Sequence, residues 1–165
     1  TVRHTLLETN NGQRKFVLVL DAGEEALTAI TAFAVAQQLS GSTISGLGAF
    51  SRCCLGHFDP VTKDFHRNEV EVQSEVLSML GNIAGDGDDE SDDDDGDGDA
   101  EKPGPHLHVH CVVGLNDATT RGGHLIAGFV RPTMELVIEE SPVHLQRGLD
   151  RSSGLVLLQP NQKED

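Results

Sequence analysis

Residues 105–114 have the sequence PHLHVHCVVG, in which a histidine stands at every second position from His106 to His110. Because successive side chains of a β-strand point to opposite faces, this spacing predicts a strand that presents its three histidines on one side. The intervening apolar residues and Cys111 are predicted to face the core. A fourth histidine follows in the segment Gly122-Gly123-His124-Leu125.

Two histidine-bearing segments this close in sequence indicate a site for a transition metal. Neutral imidazole is a good ligand for Zn, Cu, Fe and Ni, and a site with three histidine ligands keeps one coordination position open. The alternative is a polar sheet surface that binds no metal. Gly122 and Gly123 are expected to serve the backbone, through positive φ or close approach of two strands, rather than to contact a ligand.

Outside this region the sequence shows mostly strand patterns and one helical pattern. Residues 15–20 (KFVLVL) predict a strand, followed by a turn at 21–23. The helix is predicted over 24–39, with Glu24 and Glu25 at the positive end of its dipole and Gly41 as its stop signal. One helix among seven or eight strands predicts an α+β fold, a single compact domain over residues 1–165 with a mostly antiparallel sheet. The remaining segments with strand-like patterns are 43–50, 53–58, 63–65, 70–72, 76–83, 125–130, 135–139 and 155–158.

The net charge of −15 is concentrated in one segment. Residues 86–101 contain eleven acidic side chains and no basic one, so 85–104 is predicted to be a disordered acidic insert within the domain. The rest of the chain has 16 acidic and 12 basic residues, a net charge of −4. Because nucleic-acid binders concentrate Lys and Arg on one surface, this composition disfavours DNA as a partner.

The three cysteines, Cys53, Cys54 and Cys111, do not form the evenly paired pattern of a disulfide framework. They are predicted to be reduced and buried, and a thiolate metal site is the less favoured alternative. The sequence has no signal-peptide pattern and no apolar run long enough to span a bilayer. We therefore expect a cytoplasmic location and no membrane partner.

Several segments, in a fixed order, resemble those of a known family. They are 16–24 (FVLVLDAGE), 46–51 (GLGAFS), 55–59 (LGHFD), 108–110 (HVH), 122–125 (GGHL) and an ending with Arg147 and 154–155 (GL). Together they resemble the PPC (plant- and prokaryote-conserved) domain in its stand-alone prokaryotic form, whose members are often labelled candidate DNA-binding proteins. The resemblance covers nearly the whole chain except the acidic insert.

The resemblance implies a compact α+β fold, a homotrimer, and a metal bound by two histidines of an H-x-H strand and the histidine of G-G-H. The residues at those positions are His108, His110 and His124, and zinc is the expected ion. His106 is then an additional histidine, expected to face solvent or to contact a metal ligand. His57, which lies in a matched segment, is a further candidate for the pocket.

Three functions are open on the sequence. The first is a metal-binding homotrimer whose site accepts a small molecule in a binding or regulatory role. The second is a metal-dependent enzyme that activates water, with Glu135 or His106 as the general base. The third is a nucleic-acid-associated regulator, although the Arg-Gly-Arg-Pro segments with which plant members contact DNA do not occur in this sequence. Arg131 and Arg147 are candidates for binding an anionic ligand or a neighbouring subunit, an ordinary surface role being the alternative.

Overall fold

In the computed structural model, which describes residues 2–86 and 104–159, one helix packs against a sheet of nine strands. This is the α+β fold that the sequence predicts. The elements in chain order are β1 (Arg3–Asn10), β2 (Gln13–Asp21), α1 (Ala26–Gln37), β3 (Gly41–Asp59), β4 (Asp64–Val70), β5 (Ser74–Asp86), β6 (His106–Gly114), β7 (Thr120–Glu140), β8 (Gln146–Asp150) and β9 (Leu155–Gln159).

Two long antiparallel strands, β3 with 19 residues and β7 with 21, organise the sheet. They pair from Ser42 opposite Glu140 to Gly56 opposite His124. β5 pairs with the start of β3, and β6 pairs with both β5 and β7, so that β3, β5, β6 and β7 form a closed ring of paired strands. β2 and then β1 extend the sheet from the end of β7, while β4 pairs with the end of β3. The β8–β9 hairpin joins β5 through a parallel pairing.

The core lies between α1 and the inner face of the sheet, and it is mainly aliphatic, as the scarcity of aromatic residues predicts. From β6, the alternate residues Val109, Cys111 and Val113 are buried in it, so the opposite alternate set, which includes His106, His108 and His110, takes the other face. The predicted period of two is therefore confirmed for this strand. The largest fully buried side chains include Leu18, Leu20, Ile30, Phe50, Leu55, Met79, Ile83, Leu125, Met134, Leu136 and Ile138.

The helix is shorter at both ends than the predicted 24–39. Glu25 has an extended backbone and accepts hydrogen bonds from the amides of Leu27 and Thr28, which makes it the N-cap. At the other end Gln38 adopts a left-handed conformation with φ 54°, and this residue ends the helix. Gly41, the expected stop signal, instead begins β3.

The predicted strands 43–50 and 53–58 are one strand, β3, and 125–130 and 135–139 are one strand, β7. Register shifts, including one between Phe50 and Arg52, interrupt the pairing locally without ending either strand. A bulge bends a strand and changes which face its residues occupy, so it disrupts the alternation on which a sequence prediction depends. The sequence does not predict β1 or β8: β1 is exposed from residue 3 to residue 9 and so lacks an apolar alternation, and β8 is short.

β5 continues through Gly85 and Asp86, so it includes the first residues of the predicted acidic insert. The remainder of that prediction, 87–103, lies outside the described residues. All three cysteines are buried free thiols, as predicted. Within residues 2–86 and 104–159, no helix combines the length and the apolar character that crossing a membrane requires.

Candidate metal centre

The pairing of β6 with β7 brings three histidines together. His110 and His124 are directly opposite each other, and His108 lies two residues from His110 on the same face of β6. One ring nitrogen from each of the three lies within 4.8 Å of the others, and the Nε2 atoms of His108 and His110 are 3.1 Å apart. The structure thus brings together the three residues that the H-x-H and G-G-H segments supply.

A glycine allows β7, the strand that carries His124, to approach β3 closely. A Cβ on Gly123 would lie 2.6 Å from the carbonyl oxygen of Gly56, which is closer than such atoms approach in proteins. Neither Gly122 nor Gly123 has a positive φ. Of the two roles expected for these glycines, the structure therefore selects close approach, and it does so at the residue before His124.

Two phenylalanines from the β3–β4 hairpin support the His124 ring. Phe65 stacks on it with ring centroids 4.8 Å apart and an interplanar angle of 29°. Phe58 contacts Phe65 edge to face at 5.5 Å. Sequence reasoning missed both aromatic residues, because nothing in their local pattern relates them to a histidine about sixty positions later.

Burial and nearby imidazoles lower the pKa values of two histidines of this cluster, His124 and His108. Desolvation, together with the nearby His108 and His110, lowers the pKa of His124 to about 4. Desolvation also lowers the pKa of His108, with further contributions from His110 and Arg147. Imidazole must be unprotonated to ligate a metal, so both residues are in the metal-binding form near neutral pH.

The donor set fits a tetrahedral metal. Two nitrogens bound to one zinc ion at its usual bond length of about 2.0–2.1 Å are roughly 3.3 Å apart, close to the 3.1 Å between His108 and His110. The cysteines offer no alternative set: burial raises the pKa of Cys53 to about 11 and that of Cys111 to about 12, and Cys111 is on the opposite face of β6. Among the described residues, the three imidazoles are the group that could hold a metal.

A cavity of about 530 Å³ opens beside the three histidines. It has a polar wall, to which His106, His57 and Arg147 contribute. The described lining is otherwise apolar or glycine and contains no carboxylate. Its apolar residues are Phe58, Phe65, Leu107, Leu155, Val156 and Leu157. The last three belong to β9, a strand that sequence reasoning predicted without relating it to the site.

Glu135 and Arg131, the other two candidates from the sequence, do not line this cavity. Both are in β7 with His124, but Glu135 is eleven residues further along the strand, on the order of 35 Å. There it lies opposite Leu47 rather than near Gly56, the partner of His124. Arg131 uses its backbone carbonyl to accept a hydrogen bond from Gln73. Because β7 is one continuous strand from Thr120 to Glu140, Arg131 and Glu135 lie far along it from His124.

Comparisons with known proteins agree with this fold. Residues 7–142 match the family model for the Plants and Prokaryotes Conserved (PCC) domain. A plant- and prokaryote-conserved (PPC) protein of Pyrococcus horikoshii is 21% identical with a TM-score of 0.75, over 98% of this chain and 97% of that chain. A metal-containing protein of Archaeoglobus fulgidus is 22% identical with a TM-score of 0.74, over 97% and 99%. A candidate DNA-binding protein of Bacteroides thetaiotaomicron is 23% identical with a TM-score of 0.76, over 94% and 96%. At these identities the likeness shows the fold, and no curated protein sequence gives a significant match.

Proposed function

Because the chain belongs to the Plants and Prokaryotes Conserved (PCC) domain family, we propose that it binds one divalent transition metal, zinc, at His108, His110 and His124, and a small molecule beside it. The observation that carries this proposal is the convergence of three ring nitrogens within 4.8 Å of one another. The Archaeoglobus fulgidus relative, which is described as metal-containing, adds support from the same fold.

The role that we propose is ligand binding or regulation. Three histidine ligands keep one coordination position open, and a bound zinc ion would act there as a Lewis acid. Water activation would also need a positioned base, and Glu135, one of the two candidates for it, lies elsewhere on β7. The other candidate, His106, lines the cavity, and we give it no part in a reaction. We therefore assign no catalytic step to any residue.

Elemental analysis of the purified protein and two histidine variants tests the metal centre. We expect up to about one zinc ion per chain in the parent protein and none above background in His124→Ala. His106→Ala is the matched control, because it removes an imidazole from the same cavity but not from the ligand set, and it should retain its metal. Undiminished metal in His124→Ala contradicts the assignment.

We also propose that the protein is a homotrimer, as its family implies. An exposed apolar surface on the outer face of the sheet supports this. Leu47, Leu77 and Leu80 are each more than half exposed and border one groove with Val17 and Val137. Covering such a patch with a second copy removes apolar area from water. Leu80 lies opposite His110 on β5 and β6, so this surface adjoins the metal centre.

We also propose that the protein is cytoplasmic. The three cysteines are unpaired and buried, as expected where thiols stay reduced. Fractionation of cells that express the protein with a small epitope tag tests the location, and recovery outside the cytoplasmic fraction contradicts it.

A further inference from the structure

Arg147, on β8, is a cation buried beside the three histidines. Only 6% of the residue is exposed, and it contributes to the lining of the cavity. Among the described side chains, which do not include that of Asp86, its partner in the pairing of β5 with β8, no ion pair includes it. Burying an unpaired charge is costly, and a guanidinium stays protonated even where burial lowers its pKa. The fold therefore maintains a positive charge that its described side chains do not neutralise.

The guanidinium is held in place by two neutral acceptors. Its Nη2 donates to the side-chain carbonyl of Asn82, and its Nη1 donates to the backbone carbonyl of Val156 at 3.5 Å. Its buried Nε has no hydrogen-bond partner. Asn82 lies directly opposite His108 in the pairing of β5 with β6, which fixes the guanidinium next to the histidine cluster. A donor with unused capacity thus lies on a side chain that lines the cavity beside the histidine cluster.

The rest of the lining defines what kind of anion fits. Leu107, Val156 and Leu157 provide apolar walls in a cavity of about 530 Å³, within the size range of sites for small organic molecules. One guanidinium matches a single negative charge, whereas a phosphate group brings nearly two charges and three acceptor oxygens. A monocarboxylate with an apolar body matches both the single positive charge of the guanidinium and the apolar lining of the cavity.

We propose that Arg147 binds the carboxylate of a small organic acid, whose apolar part packs against Leu107, Val156 and Leu157 beside the three-histidine centre. The proposal rests on the proposed function in that the metal's open position would provide a second contact for the same carboxylate. The contact between the carboxylate and Arg147 does not require the metal, so it can be measured in the metal-free protein.

Titration of the full chain with acetate, hexanoate and inorganic phosphate tests the proposal. We follow binding by calorimetry, and by the visible absorption of protein loaded with Co²⁺ in place of zinc. Hexanoate should bind more tightly than acetate, and phosphate more weakly than hexanoate. Arg147→Gln should weaken hexanoate binding about tenfold or more, the loss expected for a charge-assisted hydrogen bond. Arg121→Gln is the matched control, because Arg121 is exposed and lines a neighbouring cavity.

A second measurement uses the unmodified protein, in case Arg147→Gln does not fold. The Nε–H resonance of Arg147 should shift on addition of hexanoate to the metal-free chain, whereas that of Arg121 should not. Hexanoate binding that is unchanged in a folded Arg147→Gln variant, or an unmoved Arg147 resonance, overturns the proposal, as does tighter binding of phosphate. A chain that binds hexanoate through Arg147 but retains no metal overturns the metal centre only.

Discussion

At the residue scale, His124 combines three physical roles. Its ring is a candidate metal ligand, it stacks on Phe65, and burial keeps it neutral. A ligand whose ring is fixed before the metal binds loses less conformational entropy on coordination. The sequence alone predicted the identity of this residue as a ligand but not its environment, because Phe65 reaches it only through the pairing of β3 with β4 and β7.

The lowered pKa of His124 predicts how the metal-free protein responds to acid. In the unfolded chain the pKa is near its ordinary value of 6.5, and in the folded chain it is about 4. Between these values the unfolded state binds a proton that the folded state does not, so the contribution of His124 to stability is present above pH 6.5 and is lost as the pH falls toward 4. Urea unfolding in the presence of a chelator should show the free energy of unfolding decreasing across this range. His124→Asn should make this decrease shallower. An identical dependence of the free energy of unfolding on pH in both proteins would contradict the lowered pKa of His124.

At the scale of elements, the close approach of β7 to β3 depends on Gly123, which has no side chain. Gly123→Ala would place its Cβ 2.6 Å from a backbone oxygen of β3, so the strands must separate. We expect a lower melting temperature and reduced metal content, since His124 is the next residue. Gly85→Ala is the control, because its Cβ would meet only ordinary contacts at 3.8 Å or more. Normal metal content and stability in Gly123→Ala would contradict the prediction, because β7 and β3 would then tolerate a wider spacing.

The start of α1 depends on one carboxylate. Glu25 accepts hydrogen bonds from the amides of Leu27 and Thr28 and from the amide of Gly128, which belongs to β7. Glu25→Ala removes the helix cap and a contact between helix and sheet together, so the free energy of unfolding should fall by about 1–2 kcal/mol or more. Chemical denaturation measures this change. Glu8→Ala, at an exposed position of β1, should be nearly neutral, and equal effects of the two substitutions would contradict the capping role.

The elements that the sequence predicted well are those with strong local patterns. The alternation in β6 and the apolar run in β2 were sufficient to identify both strands. The sequence could not predict that β3 and β7 each continue through bulges, since continuity depends on the neighbouring strand rather than on local composition. That continuity removed Glu135 from the site, and the β8–β9 hairpin brought Arg147 into it. Long-range pairing thus decided which candidate residues reach the cavity.

At the scale of the whole molecule, the apolar outer face of the sheet predicts self-association. Leu47→Gln combined with Leu77→Gln places two amides in the exposed groove, where 59% and 58% of these residues are accessible in a single chain. Light scattering should give three times the chain mass for the parent protein and a lower mass for this variant, because burying unpaired amides opposes association. Val61 is 88% exposed and lies in the turn between β3 and β4, outside the groove, so Val61→Gln should leave the trimer unchanged. A monomer mass for the parent protein at micromolar concentration rejects the trimer.

At this scale the chain also contains a long acidic connection, residues 87–103, between β5 and β6. Ala84 and His106 are paired across β5 and β6, so the ends of the connection between these strands already lie side by side. Replacing 87–103 with two glycines therefore leaves a short hairpin connection, and the fold and metal content should persist, since loop length affects stability only logarithmically.

Charge also predicts how the intact protein and this deletion variant behave toward DNA. The intact chain carries a net charge of −15, and its net charge outside residues 86–101 is still −4, so it should not bind duplex DNA at physiological salt. Electrophoretic shifts of a short duplex across a salt series, with both proteins, provide the measurement. A salt-resistant, sequence-dependent shift with the intact protein contradicts the prediction. Binding only after the deletion would mean that the acidic segment masks a nucleic-acid surface, and a regulatory role on DNA would then explain the molecule better than small-molecule binding does.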